Sequence, residues 1–225
     1  LDFAMENGTP YSSTPMQQNA VEPFTVSPLL NYMAGWYSSQ AGDEAKALDY
    51  YGKAAAMSPD YCFPFRTEEL EMLQDVVKKN PTDWKAYYYL GNLLYYYDRK
   101  DEAIAAWQSS AELNSSYGMV FRNLGHSADK YLKDKALAAD YYAMAIKADS
   151  SDPIFFQELE DVEAALKVSS EKRLARMEKY RKTIEKSDDA TSRYVRLLLD
   201  NGKYRKALDI LETRHFRVWE GGSTV

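Results

Sequence analysis

The sequence has few of the residues from which metal, disulfide and catalytic sites are usually built. Cys62 is its one cysteine, and His126 and His215 are its two histidines among 225 residues. One cysteine excludes a disulfide within the chain, and these three residues are a poor basis for a zinc site, which usually takes four Cys or His ligands. No glycine-rich phosphate loop and no G-x-S-x-G sequence occurs. We therefore expect no metal, no cofactor and no enzymatic activity.

The chain also lacks a long apolar run and an excess of positive charge. No run of about eighteen apolar residues occurs, so we expect no segment that inserts into a membrane. The net charge is −6 and Lys and Arg are not clustered, which argues against nucleic acid as a partner, because phosphate binding needs grouped cations. The chain starts at Leu1 without a Met, so we expect a piece of a longer protein, whose cellular compartment the sequence leaves open.

Tyrosine, by contrast, is abundant, with 19 residues. Strands use tyrosine heavily, so a sheet has to be considered. The tyrosines lie in a helical pattern instead, because Tyr87, Leu90, Leu94 and Tyr97 recur at three- and four-residue steps, which is one face of a helix. No segment shows the alternation of a strand. The periodicity therefore predicts an all-α fold.

Turn-forming and capping residues divide the chain into segments. Residues 1–27 carry three prolines among polar residues and show no period, so we expect an extended leader or linker. Ser27 is predicted to cap a first helix and Pro28 to begin it. Amphipathic helices are then predicted with short breaks between them, at 43–57, 68–79, 83–97, 101–113, 152–167 and 171–186.

A repeat of about 34 residues underlies these helices. Three segments align on a glycine, with an alanine 12 or 13 positions later and an aromatic residue four positions after that. The three sets are Gly35, Ala47 and Tyr51; Gly91, Ala103 and Trp107; and Gly125, Ala138 and Tyr142. Small residues let two antiparallel helices approach closely, and large ones fill the space against the neighbouring pair. We therefore expect Trp107 to be buried.

These positions resemble the tetratricopeptide repeat (TPR), whose pattern is W-x2-L-G-x2-Y, then A-x3-F, then P. The segments YYYLG at 87–91 and FRNLG at 121–125 stand for its first part, with Tyr or Phe in place of Trp. The resemblance implies an all-α, right-handed superhelical array of antiparallel helix pairs, a TPR-like α-solenoid, preceded by the extended segment. The repeat domain is predicted at 28–225, with repeats at about 28–61, 62–83 (a degenerate half repeat without its first helix), 84–117, 118–151, 152–187 (divergent) and 188–225.

Several phrases are also similar to the repeat region of large bacterial multidomain proteins, in which an uncharacterised β-rich N-terminal domain precedes the TPRs. They are DYCFP at 60–64, LGNLLY at 90–95, RNLG at 122–125, and RHF with WEGG within 214–222. This resemblance implies a fragment of a larger bacterial protein. It leaves a second function open, namely an accessory helical domain of a larger carbohydrate-active protein, without a ligand of its own.

The TPR resemblance further implies that a protein or peptide, of unknown identity, binds the concave face made by the first helix of each pair. Asn amides can bond both the donor and the acceptor of a peptide backbone, and Tyr supplies apolar area with a polar tip. The alternative is that the tyrosines simply pack between helix pairs. The candidate binding residues are Tyr88, Asn92, Tyr95, Tyr96, Arg122, Asn123 and His126.

Two other kinds of site fit the sequence less well. Asn92 and Asn123 resemble the two asparagines with which chaperone-binding TPRs hold the C-terminal carboxylate of a peptide. That site also needs a Lys where this chain has Tyr88, and residues 153–158 offer no Lys or Arg for it. A run of carboxylates could act as an acid–base pair, although a charge run on a helix is usually a solvated face, which is what we expect here. The run consists of Glu158, Glu160, Asp161 and Glu163. We expect His126 to pack or bind a ligand rather than act as a base.

Overall fold

The computed structural model describes residues 27–217, and in them every regular element is a helix. The predicted all-α fold is therefore confirmed for this part of the chain, in which no strand occurs. Apart from Ser27, the predicted leader lies outside the described residues, as does the WEGG phrase at 219–222. The helices are α1 (Pro28–Gln40), α2 (Glu44–Ala56), α3 (Thr67–Lys79), α4 (Trp84–Tyr96), α5 (Lys100–Leu113), α6 (Gly118–Lys130), α7 (Lys135–Ala148), α8 (Pro153–Ala165), α9 (Ser170–Lys179), α10 (Arg181–Ile184), α11 (Asp188–Asp200) and α12 (Tyr204–Thr213).

Local sequence sets where several of these helices begin. Ser27 caps α1 as predicted, since its hydroxyl accepts a hydrogen bond from the Leu29 N–H at 3.3 Å, and Pro28 is the first helical residue. Such caps satisfy N–H groups that have no partner within the helix. Aspartates have the same role before α2, α4 and α7, namely Asp43, Asp83 and Asp134.

The chain divides into two compact units, and the division falls between Ala106 and Trp107, inside α5. In the first unit, α1 and α2 form a closely packed antiparallel pair. A Cβ at Gly35 would lie 2.5 Å from a ring carbon of Tyr51, so only glycine permits this approach. The Tyr51 hydroxyl donates to Asp75 of α3 at 2.6 Å. Helix α3 packs against α1 and α4, and no helix precedes it between residues 57 and 66.

In the second unit, the pairs are α6 with α7, α8 with α9, and α11 with α12. The close approach of the first pair recurs, because a Cβ at Gly125 would lie 2.8 Å from the ring of Tyr142. Helix α8 packs on α7, and α11 packs on α8 and α9, so each pair lies against the one before it. The stretch 171–186, predicted as one helix, is instead interrupted at Tyr180, which separates α9 from α10.

Two glycines of the first pair are expected to respond oppositely to replacement by alanine. Gly35→Ala should destabilise the chain, because overpacking costs about 1–3 kcal/mol and the better helix propensity of alanine returns at most about 1 kcal/mol. Gly52→Ala should stabilise it by roughly 0.5–1 kcal/mol, since a Cβ at Gly52 would meet nothing within 4 Å. Urea unfolding followed by circular dichroism measures both free energies. Shifts of the same sign at the two positions would contradict the close approach of α1 to Tyr51.

Candidate functional site

In the second unit, the first helices of the three pairs are joined by ion pairs between their side chains. Arg122 of α6 donates to Glu158 of α8, with 2.9 Å between Nε and Oε2. Arg193 of α11 donates to Asp161 of α8 through Nε at 2.8 Å and Nη2 at 2.7 Å. Positions 158 and 161 are one turn apart on α8, so the two ion pairs lie along the same side of that helix. We call the set formed by these four residues, together with Asn123 and His126 of α6, the first-helix face.

The ion pairs of the first-helix face remain partly accessible to solvent. The side chains of Arg122 and Glu158 are 28% and 20% exposed, and those of Arg193 and Asp161 are 32% and 57% exposed. Ion pairs exposed to water contribute only about 0–1 kcal/mol. The Arg193–Asp161 pair is the more exposed of the two, so a charged group of a ligand can take the place of Asp161 at little cost to the fold.

His126 is half-buried on the same helix as Arg122. Burial lowers the pKa of His126, and the positive charge of Arg122 lowers it further, while Glu158 acts in the opposite direction. The imidazole is therefore uncharged at neutral pH, where one ring nitrogen donates and the other accepts a hydrogen bond. Asn123, next to Arg122 in sequence, is also half-buried.

The four candidates of the first unit, Tyr88, Asn92, Tyr95 and Tyr96, all lie on α4, and they differ in accessibility. Tyr88 is only 6% exposed, so it offers little area to a ligand, whereas Tyr96 is 70% exposed. Asn92 and Tyr95 are half-buried. The Lys100 ammonium lies 3.6 Å from the centre of the Tyr95 ring, which is a cation–π contact. Tyr96 is thus the most accessible of the three tyrosines among these candidates.

Two of the four carboxylates of α8, Glu160 and Glu163, do not lie on the solvated face that the sequence predicts for this run. Glu160 and Glu163 are 5% and 8% exposed, and they form ion pairs with Arg173 and Arg176 of α9. The expectation was wrong because α9 covers this side of α8 and supplies one guanidinium to each acid. With Glu158 and Asp161 paired on the first-helix face, each of the four carboxylates has an arginine partner, and three different helices supply those arginines.

A signal for this buried charge was present in the sequence and was missed. Glu160 stands 35 residues after Gly125, and Arg173 stands 35 residues after Ala138. In the pair α6 and α7, those two positions hold the small residues that let the helices approach. Opposite charges at two positions that face each other across a helix pair predict a buried ion pair. Burial raises the pKa of the Glu160 carboxyl, although Arg173 and Arg176 counteract that rise.

Between Ser27 and Arg217, no group of three or more His, Cys, Asp or Glu side chains is placed to hold a metal ion. None of the helices from α1 to α12 combines the length and the apolar character needed to cross a bilayer.

The chain matches no family model, but it is similar to several solved structures. One is YrrB, a TPR protein with an unusual peptide-binding site, at 17% identity and a TM-score of 0.46 over 87% of this chain and 88% of that one. Another is the MamA protein, at 18% identity and a TM-score of 0.45 over 85% and 98% of the two chains. A third is PilF of Pseudomonas aeruginosa, at 16% identity and a TM-score of 0.49 over 82% and 90%. None of these likenesses says what this chain binds.

Proposed function

We propose that the chain is a binding scaffold that holds a segment of a partner protein on the first-helix face of its second unit. The observation that supports this most directly is the row of partly exposed polar side chains that α6, α8 and α11 place side by side. Rigid helices hold these groups in fixed positions, which limits the conformational freedom that the scaffold loses on binding. An interaction role also agrees with the sequence, which offers no catalytic motif.

The face favours a ligand that carries both charges and an exposed backbone. Arg122 and Arg193 can bind carboxylates of the partner, and Glu158 and Asp161 can bind its Lys or Arg side chains. The amide of Asn123 can donate to and accept from one peptide unit, whatever the sequence of the ligand. The half-buried, uncharged His126 lies one turn from Arg122 on α6 and can contact the same ligand. The accessible candidates on α4, Asn92, Tyr95 and Tyr96, are proposed as a separate contact surface of the first unit, with Tyr96 as its main aromatic contact.

The proposed function can be tested with a peptide that is selected from a random library for binding to the whole chain. Calorimetric titration of that peptide should show a loss of affinity of roughly five- to 150-fold for Asn123→Ala and for Arg193→Ala, because an unpaired hydrogen-bonding group left in the complex costs about 1–3 kcal/mol. Asn92→Ala and Tyr96→Ala report on the first unit in the same titration. Neither change in the second unit should alter the helical circular dichroism spectrum.

Lys147→Ala is the matched control, since Lys147 is an exposed residue on α7, a second helix. It should leave the affinity unchanged. The proposal fails if every variant of the first-helix face binds the selected peptide as tightly as the control does, or if no peptide is selected at all.

A further inference from the structure

The last helix of the second unit leaves a position uncovered that is buried in the pairs before it. In α7, Tyr142 follows the small residue Ala138 by four positions. In α9, Met177 follows Arg173, which stands in the place of the small residue, by four positions. Tyr142 and Met177 are 2% and 0% exposed. The corresponding residue of α12 is Leu211, four positions after Ala207, and it is 51% exposed. In the earlier pairs, the following first helix packs on the second helix, as α8 does on α7 and α11 does on α9. In the described part of the chain, no helix follows α12.

Leu211 belongs to an exposed apolar stripe. Tyr204 and Leu208 are 68% and 44% exposed, and the three residues are spaced at four- and three-residue steps, so they share one face of α12. We call these three residues the tail stripe. Adjacent exposed apolar side chains of this kind are typical of a surface that another molecule covers.

Helix α1 shows the complementary feature at the other end of the described residues. Leu30 and Tyr37 are 57% and 59% exposed, and seven positions separate them, so they also share one helix face. We call these two residues the head stripe. The equivalent residues in later first helices are buried: Ala86 and Leu93 of α4 are both 0% exposed, and Phe155 and Val162 of α8 are 2% and 4% exposed.

Helix α1 is also suited to burial by its composition. Its sequence, PLLNYMAGWYSSQ, contains no charged residue. Covering the head stripe would therefore take no charge out of water, which is the main cost of burying a polar helix face. The exposed face of α1 thus has the character of the first-helix faces that are buried in the later pairs.

We propose that these two stripes bind each other between two copies of the chain. The α1 helix of one copy covers the tail stripe of another, as α8 covers α7 and α11 covers α9 within the second unit. The two surfaces differ, so the contact is head to tail and each copy can bind one neighbour through each stripe. The chain carries a net charge of −6, so the copies repel each other and added salt should strengthen the assembly.

Light scattering on the full chain over a concentration series tests this assembly. The unmodified chain should grow beyond a dimer as its concentration rises. A tail-blocked variant, Leu208→Glu with Leu211→Glu, and a head-blocked variant, Leu30→Glu with Tyr37→Glu, should each remain monomeric. Mixed in equal amounts, the two variants should form a dimer and nothing larger, because each still has one intact stripe. Met144→Glu on α7 is the matched control, since Met144 is exposed outside both stripes, and it should assemble like the unmodified chain.

Three results would overturn the proposal. One is an unmodified chain that stays monomeric at every concentration. Another is a mixture of the two blocked variants that forms no dimer. The third is a chain that begins to assemble only after residues 1–26 or 218–225 are removed, because the stripe would then be covered by its own chain. Circular dichroism of both blocked variants should match that of the unmodified chain, which separates lost assembly from lost folding.

Discussion

Trp107→Ala is expected to lower the free energy of unfolding by about 3–5 kcal/mol, as truncation of buried aromatic residues does. Trp107 is 3% exposed, so the replacement leaves a cavity rather than a solvated gap. It follows the buried Ala103 by four positions, as Tyr51 follows Ala47 and Tyr142 follows Ala138. The repeat alignment predicted this burial, and the structure confirms it.

Urea unfolding of the full chain measures the effect, and Gln108→Ala is the control. Gln108 is the next residue on α5 and is exposed, so its replacement should change the stability by less than about 0.5 kcal/mol. A Trp107→Ala loss as small as that of the control would contradict the burial of Trp107 in the folded chain.

Arg173→Met is expected to destabilise the chain by about 3–5 kcal/mol, the usual cost of leaving one member of a buried ion pair without its partner. The side chains of Arg173 and Glu160 are 13% and 7% exposed, so water cannot replace the lost guanidinium. Methionine keeps much of the arginine volume, which limits any cavity. Replacing both residues, as Glu160→Leu with Arg173→Met, removes the stranded charge. The double variant should be clearly more stable than Arg173→Met alone.

The pH dependence of Arg173→Met separates a charge effect from a packing effect. Burial already raises the pKa of Glu160, and loss of Arg173 should raise it further. A carboxyl whose pKa is raised by folding is destabilising when ionised. That penalty decreases as the pH falls below the folded-state pKa and is gone below the unfolded-state pKa. The difference in stability between Arg173→Met and the unmodified chain should therefore shrink in acid. A difference that is constant with pH would assign the loss to packing instead.

Pairs of distant charges limited what could be predicted about the candidate site. The repeat pattern predicts Arg122 as a candidate binding residue from its place on a first helix, but its pairing with Glu158 joins residues 36 positions apart. Helical periodicity gives the face on which a side chain lies and not the residue that it meets on another helix. The same limit applies to the ion pair of Glu163 and Arg176, because the sequence predicts a solvated face for Glu163.

The sequence by itself determined the helical fold, the position of caps such as Ser27, and the burial of Trp107. These follow from interactions within a few residues of each other and from a repeat whose small and large positions recur at a fixed spacing. The tertiary structure decided which charges are neutralised and which apolar stripes are left uncovered. Glu160 and Leu211 are examples, because the burial of each depends on whether another helix lies over it, and that depends on how whole helices pack rather than on local sequence.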